Sequence, residues 1–295
     1  MKVGLAGIGR MGAAIATRLM ACGHEITVWN RTPGKIAPLV AAGAKVATTP
    51  AALAREAEVV ITILTDAAAI EAVYYASDGL VAGIVSNPLV LEMSTVRPQA
   101  KQKLGAVLAA KRAVLVDCPV GGSTDAALGG KLLGFAGGEA ADFQRARPVL
   151  EQLCRRVEHV GPVGAGARMK LAINLPLLVY WQALGEALAL CRPLGLDPQR
   201  VMDIFADTAG GPNLLKARGS KIAAALAERE TGPVTFDVDS IRKDLRTMIE
   251  EARALGANLP LAERALECFD QAARAGLGAC DGVALPARWA KRADG

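Results

Sequence analysis

The sequence predicts an α/β domain built on a doubly wound parallel sheet, then one long helix, then an all-α domain. Three observations carry this. The first ~30 residues run strand, glycine-rich turn, helix, strand. Short apolar runs then alternate with helical patterns as far as Val160. From Gly161 to Gly195 nearly every residue is apolar, and the remaining C-terminal stretch reads as helix and loop.

Met1 to Ala6 is a short apolar strand. It leads into Gly7-Ile8-Gly9-Arg10-Met11-Gly12 and the helical pattern Ala13 to Ala21, with a second strand at Glu25 to Trp29. A GxGxxG run needs this context to bind a dinucleotide. Gly7 permits the tight turn, Gly9 lets backbone N–H groups approach a pyrophosphate, and Gly12 lets the helix pack on the strand. The helix N-terminus then holds the phosphate charge. Residues 1–162 are therefore predicted to be a Rossmann domain, with all six residues from Gly7 to Gly12 against the cofactor.

The end of the second strand selects the cofactor. An acidic residue there would accept the ribose 2′-OH of NAD. This chain has Asn30-Arg31-Thr32 instead. Arg31 can pair a 2′-phosphate, and Asn30 and Thr32 can hydrogen-bond it, which predicts NADP.

The alternation continues with a helix at Pro33 to Ala42, a strand at Gly43 to Ala47 and a helix at Thr49 to Arg55. Glu58 to Leu64 is a buried strand ending in Thr65-Asp66, at the carboxyl edge where ligands sit. Leu64 and Thr65 can touch the cofactor there; a plain helix cap by Asp66 is the alternative. Leu89 to Met93 is the next strand and Pro98 to Lys111 the next helix. Between them Ser94 or Thr95 contacts the nicotinamide ribose, or only caps that helix. Leu115 to Cys118 is another strand. The loop Pro119 to Gly130 is rich in glycine, and successive exposed N–H groups make a nest for a carboxylate, with Ser123 and Thr124 adding hydroxyls. A long flexible turn is the alternative. Lys131 to Gly137 and Arg156 to Val160 complete the sheet around the helix Ala140 to Leu153.

The apolar stretch from Gly161 predicts a helix of about 30 residues that is buried all round, because no water-facing stripe is available. Its few polar residues, Lys170, Asn174, Gln182 and Glu186, are spaced by multiples of four and share one face. A lysine and an asparagine one turn apart at the start of such a helix read as a site, with a snorkelling lysine as the alternative. Asn174, Pro176, Gln182 and Glu186 interrupt the apolar run and argue against a membrane span. Residues 163–295 then form the second domain, with helices at Asp197 to Ala206, Pro212 to Glu228, Asp237 to Leu255 and Pro260 to Ala275. In the third of these, Ile241, Leu245, Met248 and Ile249 mark the buried face. Lys291-Arg292 reads as a solvated tail.

Composition narrows the function. The chain has 295 residues, 52% hydrophobic content and a net charge of +5, enough core for one large or two modest domains. A pI near 8.9 without a Lys/Arg block suits an anionic small molecule better than a nucleic acid. Six scattered cysteines form no CxxC and read as reduced thiols of a cytoplasmic protein. His24 and His159 are far apart, so neither a metal site nor a histidine-based triad is expected. Gly4, Gly7, Gly9, Arg10 and Gly12 break any signal-peptide core.

Four ordered motifs resemble the β-hydroxyacid dehydrogenase family, relatives of 6-phosphogluconate dehydrogenase. Gly7 to Gly12 matches the family's GxGxMG. Asp117-Cys118-Pro119-Val120-Gly121-Gly122-Ser123, with Ala127, Gly130 and Leu132, matches its substrate loop. Gly164, Gly166, Lys170 and Asn174 match its G-x-G-x-x-x-K-x-x-N-N, and Phe236 with Lys243-Asp244-Leu245 its F-x₆-K-D-L. Two positions depart: Gly121 stands for the family serine and Ile173 for the first asparagine. The resemblance implies hydride transfer between NADP(H) and a small β-hydroxy acid or the matching aldehyde or keto acid. It implies Lys170 as proton donor and acceptor, Asn174 orienting the substrate oxygen, and Gly121, Gly122 and Ser123 holding a carboxylate. It further places Phe236 and Lys243 at the nicotinamide end, gives Asp281 a position near the cleft, and implies a homodimer or homotetramer. Imine reductases are relatives that usually carry another residue at the lysine position, and a non-catalytic NADPH-binding module is a further alternative. Lys170 and Asn174 together argue for carbonyl and alcohol chemistry.

Overall fold

The computed structural model describes residues 1–85, 87–208 and 210–291. Two compact units divide between Leu171 and Ala172. The first begins β1 (Lys2–Ala6), α1 (Arg10–Ala21), β2 (Glu25–Trp29), a short 3-10 turn, α2 (Ala37–Ala41), β3 (Lys45–Val46) and α3 (Pro50–Glu56). It continues β4 (Val59–Thr62), α4 (Ala67–Tyr75), α5 (Leu80–Gly83), β5 (Leu89–Glu92), α6 (Pro98–Ala110) and β6 (Val114–Asp117). Then come β7 (Val120–Gly121), α7 (Thr124–Leu128), β8 (Leu132–Gly137), α8 (Ala140–Leu153) and β9 (Cys154–Gly161).

The sheet runs β3-β2-β1-β4-β5-β6-β8-β7, with β9 on β8. The first six are parallel, β8 is antiparallel to β6 and β7, and β9 is parallel to β8. This is the doubly wound order, reversing at β1, and it confirms the predicted sheet. The central strands bury both faces, as parallel strands under helices must. Alternate residues sort cleanly: Ile61, Leu91 and Val116 enter one core, and Val60, Val90 and Leu115 the other. Leu91 and Ile61 are 0% exposed, so either truncated to alanine should cost about 2–5 kcal/mol.

Helix starts agree closely with the sequence. Thr49 accepts from the Ala52 N–H at 3.0 Å and caps α3. Asp66 accepts from the Ala69 N–H at 2.8 Å and caps α4, as its position after β4 suggested. The glycine-rich stretch after β6 is not a flexible turn. It holds a strand and a short helix, because Val120-Gly121 pairs with Leu133-Gly134 and Ser123 caps α7.

Helix α9 (Ala165–Cys191) crosses from the first unit into the second. The second unit adds α10 (Pro198–Ala206), α11 (Asn213–Leu226), α12 (Val238–Ala254), α13 (Pro260–Ala272) and α14 (Ala284–Lys291). Asp197 and Asp237 cap α10 and α12. Ile241, Leu245, Met248 and Ile249 are buried, as their spacing predicted.

Two expectations are corrected by the fold. Helix α9 is not buried all round: Leu178, Trp181, Leu184 and Leu188 are core, whereas Met169, Ile173 and Leu190 are 39%, 40% and 83% exposed. An apolar composition identifies no side, so one face of this chain's longest helix stays open. The helices of the second unit also do not stop at Ala275: α14 comes directly after the buried Val283 and carries buried Leu285 and Ala287. Arg292 lies outside the described residues.

Candidate active site

The glycines of the first turn divide their work. Gly7 has φ +98, and a β-carbon there would collide with the Ile63 carbonyl. A β-carbon on Gly12 would collide with the Gly7 carbonyl. These two are demanded by the chain itself. Gly9 differs: a β-carbon there meets nothing within 4 Å. It is the N-cap of α1 and offers no side chain to the N–H groups of the first turn. Open space before uncapped helix amides fits a pyrophosphate. Arg10, the first residue of α1, is exposed; Ile8 is buried and Met11 partly buried against the core.

Asn30 holds this turn in place. Its Oδ1 accepts from the Ile8 N–H at 2.9 Å, and its Nδ2 donates to the Thr32 carbonyl at 2.9 Å. The side chain predicted to face a 2′-phosphate is thus engaged in joining β1's turn to β2's. Arg31 and Thr32 beside it are exposed.

Further along the carboxyl edge, Leu64 is half-buried and Thr65 exposed, with the Thr65 hydroxyl 3.4 Å from Asp66. Ser94 neither caps α6 nor faces solvent. Its Oγ accepts from the Leu64 N–H at 2.7 Å and donates to Glu92 Oε1 in a short bond. The residue before α6 is Arg97, which makes no side-chain cap. Thr95 is partly buried.

In the glycine-rich segment, Gly121 pairs within the sheet while Gly122 and Ser123 are exposed. Gly122 has φ +136, and a β-carbon there would sit 2.8 Å from Leu132 Cδ2. The Ser123 hydroxyl accepts from the Ala126 N–H at 3.2 Å, so helix capping occupies it.

Thr62, Glu92 and Asp117 stand side by side in register at the ends of β4, β5 and β6, and all are 0% exposed. Lys101, also 0% exposed, comes down from α6 to form an ion pair with Glu92 Oε2 and donates to the Glu92 carbonyl at 3.0 Å. Thr62 Oγ1 lies 2.8 Å from the Tyr74 hydroxyl and 3.4 Å from Glu92 Oε1. Asp117 turns to the start of α9. Its Oδ1 accepts from the Gly164 N–H at 3.1 Å and its Oδ2 from the Ala167 N–H at 2.8 Å. Burial pushes its carboxyl up to about 6, against the pull of Lys101 and those two amides. Sequence reasoning named Asp117 only as the head of a motif and passed over Glu92 and Lys101. The signal was available: an acid closes each of the apolar runs LVLE and VLVD.

Lys170 is partly buried in the second turn of α9, and Asn174 stands one turn later, 9% exposed. Ile173 points away from the core. In the second unit, Phe236 is partly buried just before α12, and Lys243 pairs with the buried Asp244 at 2.5 Å. Asp281 is 4% exposed and accepts from the Thr235 N–H and hydroxyl, Lys221 and Arg218 at 2.8–3.3 Å. The Gly282 N–H donates to the Phe236 carbonyl, so the Asp281 turn and the Phe236 segment are one assembly.

Residues 2–161 match the family described as the NAD binding domain of 6-phosphogluconate dehydrogenase. Residues 164–288 match the family described as NAD-binding of NADP-dependent 3-hydroxyisobutyrate dehydrogenase. Among relatives, the 3-hydroxyisobutyrate dehydrogenase of Pseudomonas aeruginosa is 34% identical, covering 91% of this chain and 91% of its own. The NAD-dependent L-serine dehydrogenase of the same organism is 32% identical over the same shares. Psf3, solved in complex with NADP+ and 2-OPP, superposes with a TM-score of 0.85 at 28% identity, covering 97% of this chain and 99% of that one. Both halves and the whole-length relatives point the same way as the cradle around Gly9: the chain belongs to the β-hydroxyacid dehydrogenase family and is a pyridine-nucleotide-dependent oxidoreductase.

Proposed function

We propose that the chain transfers hydride between NADP(H) and a small β-hydroxy acid, or runs the reverse on the matching aldehyde or keto acid. The observation that best supports this is Lys170 with Asn174 one turn later, on a helix whose first turn is tied to the carboxyl end of β6. That edge is where doubly wound sheets take their ligands. The nicotinamide, when bound, supplies or accepts the hydride. Lys170 Nζ gives a proton to the substrate oxygen in reduction and takes one in oxidation. The Asn174 amide orients that oxygen. The backbone of Gly121, Gly122 and Ser123 holds the substrate carboxylate; the Ser123 hydroxyl is already a cap, so the amides do this work. Gly121 in place of a serine leaves this end of the site with one hydroxyl fewer.

On the cofactor side, Gly7 to Gly12 hold the pyrophosphate, and Leu64, Thr65, Thr95, Phe236 and Lys243 contact the rest. Arg31 selects NADP through the 2′-phosphate, with Thr32 beside it. Asn30 acts indirectly, by keeping the turn and the end of β2 together.

The test is a panel of small aldehydes, keto acids and cyclic imines offered with NADPH, read as loss of cofactor absorbance. Turnover of a carboxylate-bearing aldehyde or keto acid is expected; turnover of imines alone overturns the reading. Lys170→Met then keeps length and packing while removing the proton. Its kcat should fall about 100- to 10,000-fold with NADPH affinity unchanged. Near-normal kcat would return the lead to imine-type chemistry with another proton donor.

A further inference from the structure

We propose that Asp117 is a positioning residue: its buried carboxylate seats the first turn of α9 and thereby sets where Lys170 stands. The proposal rests on the acid–base role given to Lys170 above.

The start of α9 finds one local acceptor, the Pro162 carbonyl, which takes the Ala165 N–H at 2.9 Å. Gly164, the residue before it, has φ +98 and no side chain to offer the first-turn amides. Two further acceptors come from the end of β6, 47 and 50 residues earlier in the chain. A cap from that distance does more than end a helix. It fastens the helix to the sheet, with a carboxylate at the positive end of the helix dipole. The seat is closely fitted. A β-carbon on Gly166 would collide with the carbonyls of Phe135 and Asp117, and one on Gly137 with Asp117 Oδ1. Gly166 therefore serves backbone contact between helix and sheet, and Gly164 a turn of positive φ beside α6. Lys170 lies three residues beyond Ala167, less than one turn, so a shift of the seat reaches the lysine undamped.

The carboxylate is also costly. An ion taken wholly out of water loses several kcal/mol of solvation, and a neutral side chain would cap the helix without that loss. Glu92 and Lys101 lie behind it, fully buried, with Ser94 and Thr62 completing the row. Lys101, Ser94 and Thr62 all bond to Glu92, which holds this row in place beside Asp117. A cap needs none of this, whereas fixing a proton donor to within a fraction of an ångström does.

Asp117→Asn in the full chain tests it. The amide keeps size and one acceptor but turns its NH₂ toward one of the two helix N–H groups. Burying an amide is easier than burying a charge, so the variant should fold; Asp117→Ser, which relieves crowding, serves if it does not. The proposal expects kcat lower by about 10- to 100-fold, with KM and NADPH affinity within about twofold. Amide hydrogen exchange should speed up over residues 164–171 and stay unchanged in the rest of the first unit. Unchanged protection there, or loss of protection spread through the whole unit, overturns it. Failure of the acid–base reading is separate: that shows as normal turnover in Lys170→Met, whereas the exchange experiment on Asp117→Asn decides the seat by itself.

Discussion

Gly9 and Gly12 sit three residues apart in one motif and should respond oppositely to the same change. Gly9→Ala adds a methyl into open space, so the free protein should keep its stability while cofactor affinity falls at least about tenfold, as the pyrophosphate loses its approach. Gly12→Ala drives a methyl into the Gly7 carbonyl and should destabilise the unit itself. Thermal melts with and without NADPH check both; a Gly9→Ala protein that binds NADPH normally would refute the cradle. For cofactor choice, Arg31→Ala should weaken NADPH by about 1.5–3 kcal/mol and leave NADH nearly unchanged, measured by fluorescence titration. Equal losses for both would remove Arg31 from the 2′-phosphate. Asp117 gives a pH signature. Its folded carboxyl holds a proton up to about 6, against 3.8 unprotected, with Lys101, Glu92 and Cys118 as the ionisable groups around it. The folded state thus binds the extra proton between those values, and stability from this residue falls as pH rises through them. Denaturant melts should show Asp117→Asn gaining on the parent over that range; a constant difference would contradict it. At this scale Gly7 and Gly12 were legible in the sequence, because the tight turn and the helix packed on it leave no room for a β-carbon. The bonds of Asn30 to the Ile8 N–H and the Thr32 carbonyl were not legible, because a side chain that ties two turns together cannot be told from one facing solvent until the turns are adjacent.

At the scale of elements, most boundaries were legible because caps and periodicity agree: Thr49, Asp66, Asp197 and Asp237 each start the helix they precede. Short elements whose existence depends on distant partners were not. Strand β7 is two residues long and exists through β8. Helix α14 comes after an irregular turn with Gly276 at φ +86, and its buried face is visible only once the second unit is folded. That unit's Asp281 assembly supplies a prediction of its own. Burial alone would raise this carboxyl, but the Thr235 amide, Lys221, the Thr235 hydroxyl and the Val283 amide hold it at about 2. Its folded value lies below 3.8, so its stabilisation is present above that pH and lost as pH falls toward 2. The contribution is on the order of 2 kcal/mol. Asp281→Asn should lower the melting temperature at neutral pH and lose that deficit in acid. A deficit independent of pH would mean that shape, and not charge, holds the turn.

At the scale of the whole molecule, the open face of α9 is the feature that the single chain leaves unexplained. The helix is long and apolar enough to pass for a membrane span by length and composition, yet Asn174 and Gln182 are buried within it. Its exposed residues are not scattered. Met169, Ile173, Pro176, Ala183 and Leu190 are exposed and recur three, four or seven residues apart, along one side of a cylinder, with the exposed Ala172 among them and the exposed Arg168 and Glu186 along its edge. A stripe of this kind fits a second helix, and we propose a second copy of this chain as its occupant. The sequence shows apolar residues all round and cannot separate the face that the chain covers itself from the face it leaves open. Ala183→Glu with Leu190→Glu places two charges on the stripe while keeping good helix formers. Neither position is assigned to substrate or cofactor. Sedimentation velocity should find the parent as a dimer or tetramer and the double variant shifted toward monomer, since burying two unpaired carboxylates in an interface costs several kcal/mol. A parent that sediments as a monomer at micromolar concentration, or a double variant that assembles as tightly as the parent, would show that this face has another use.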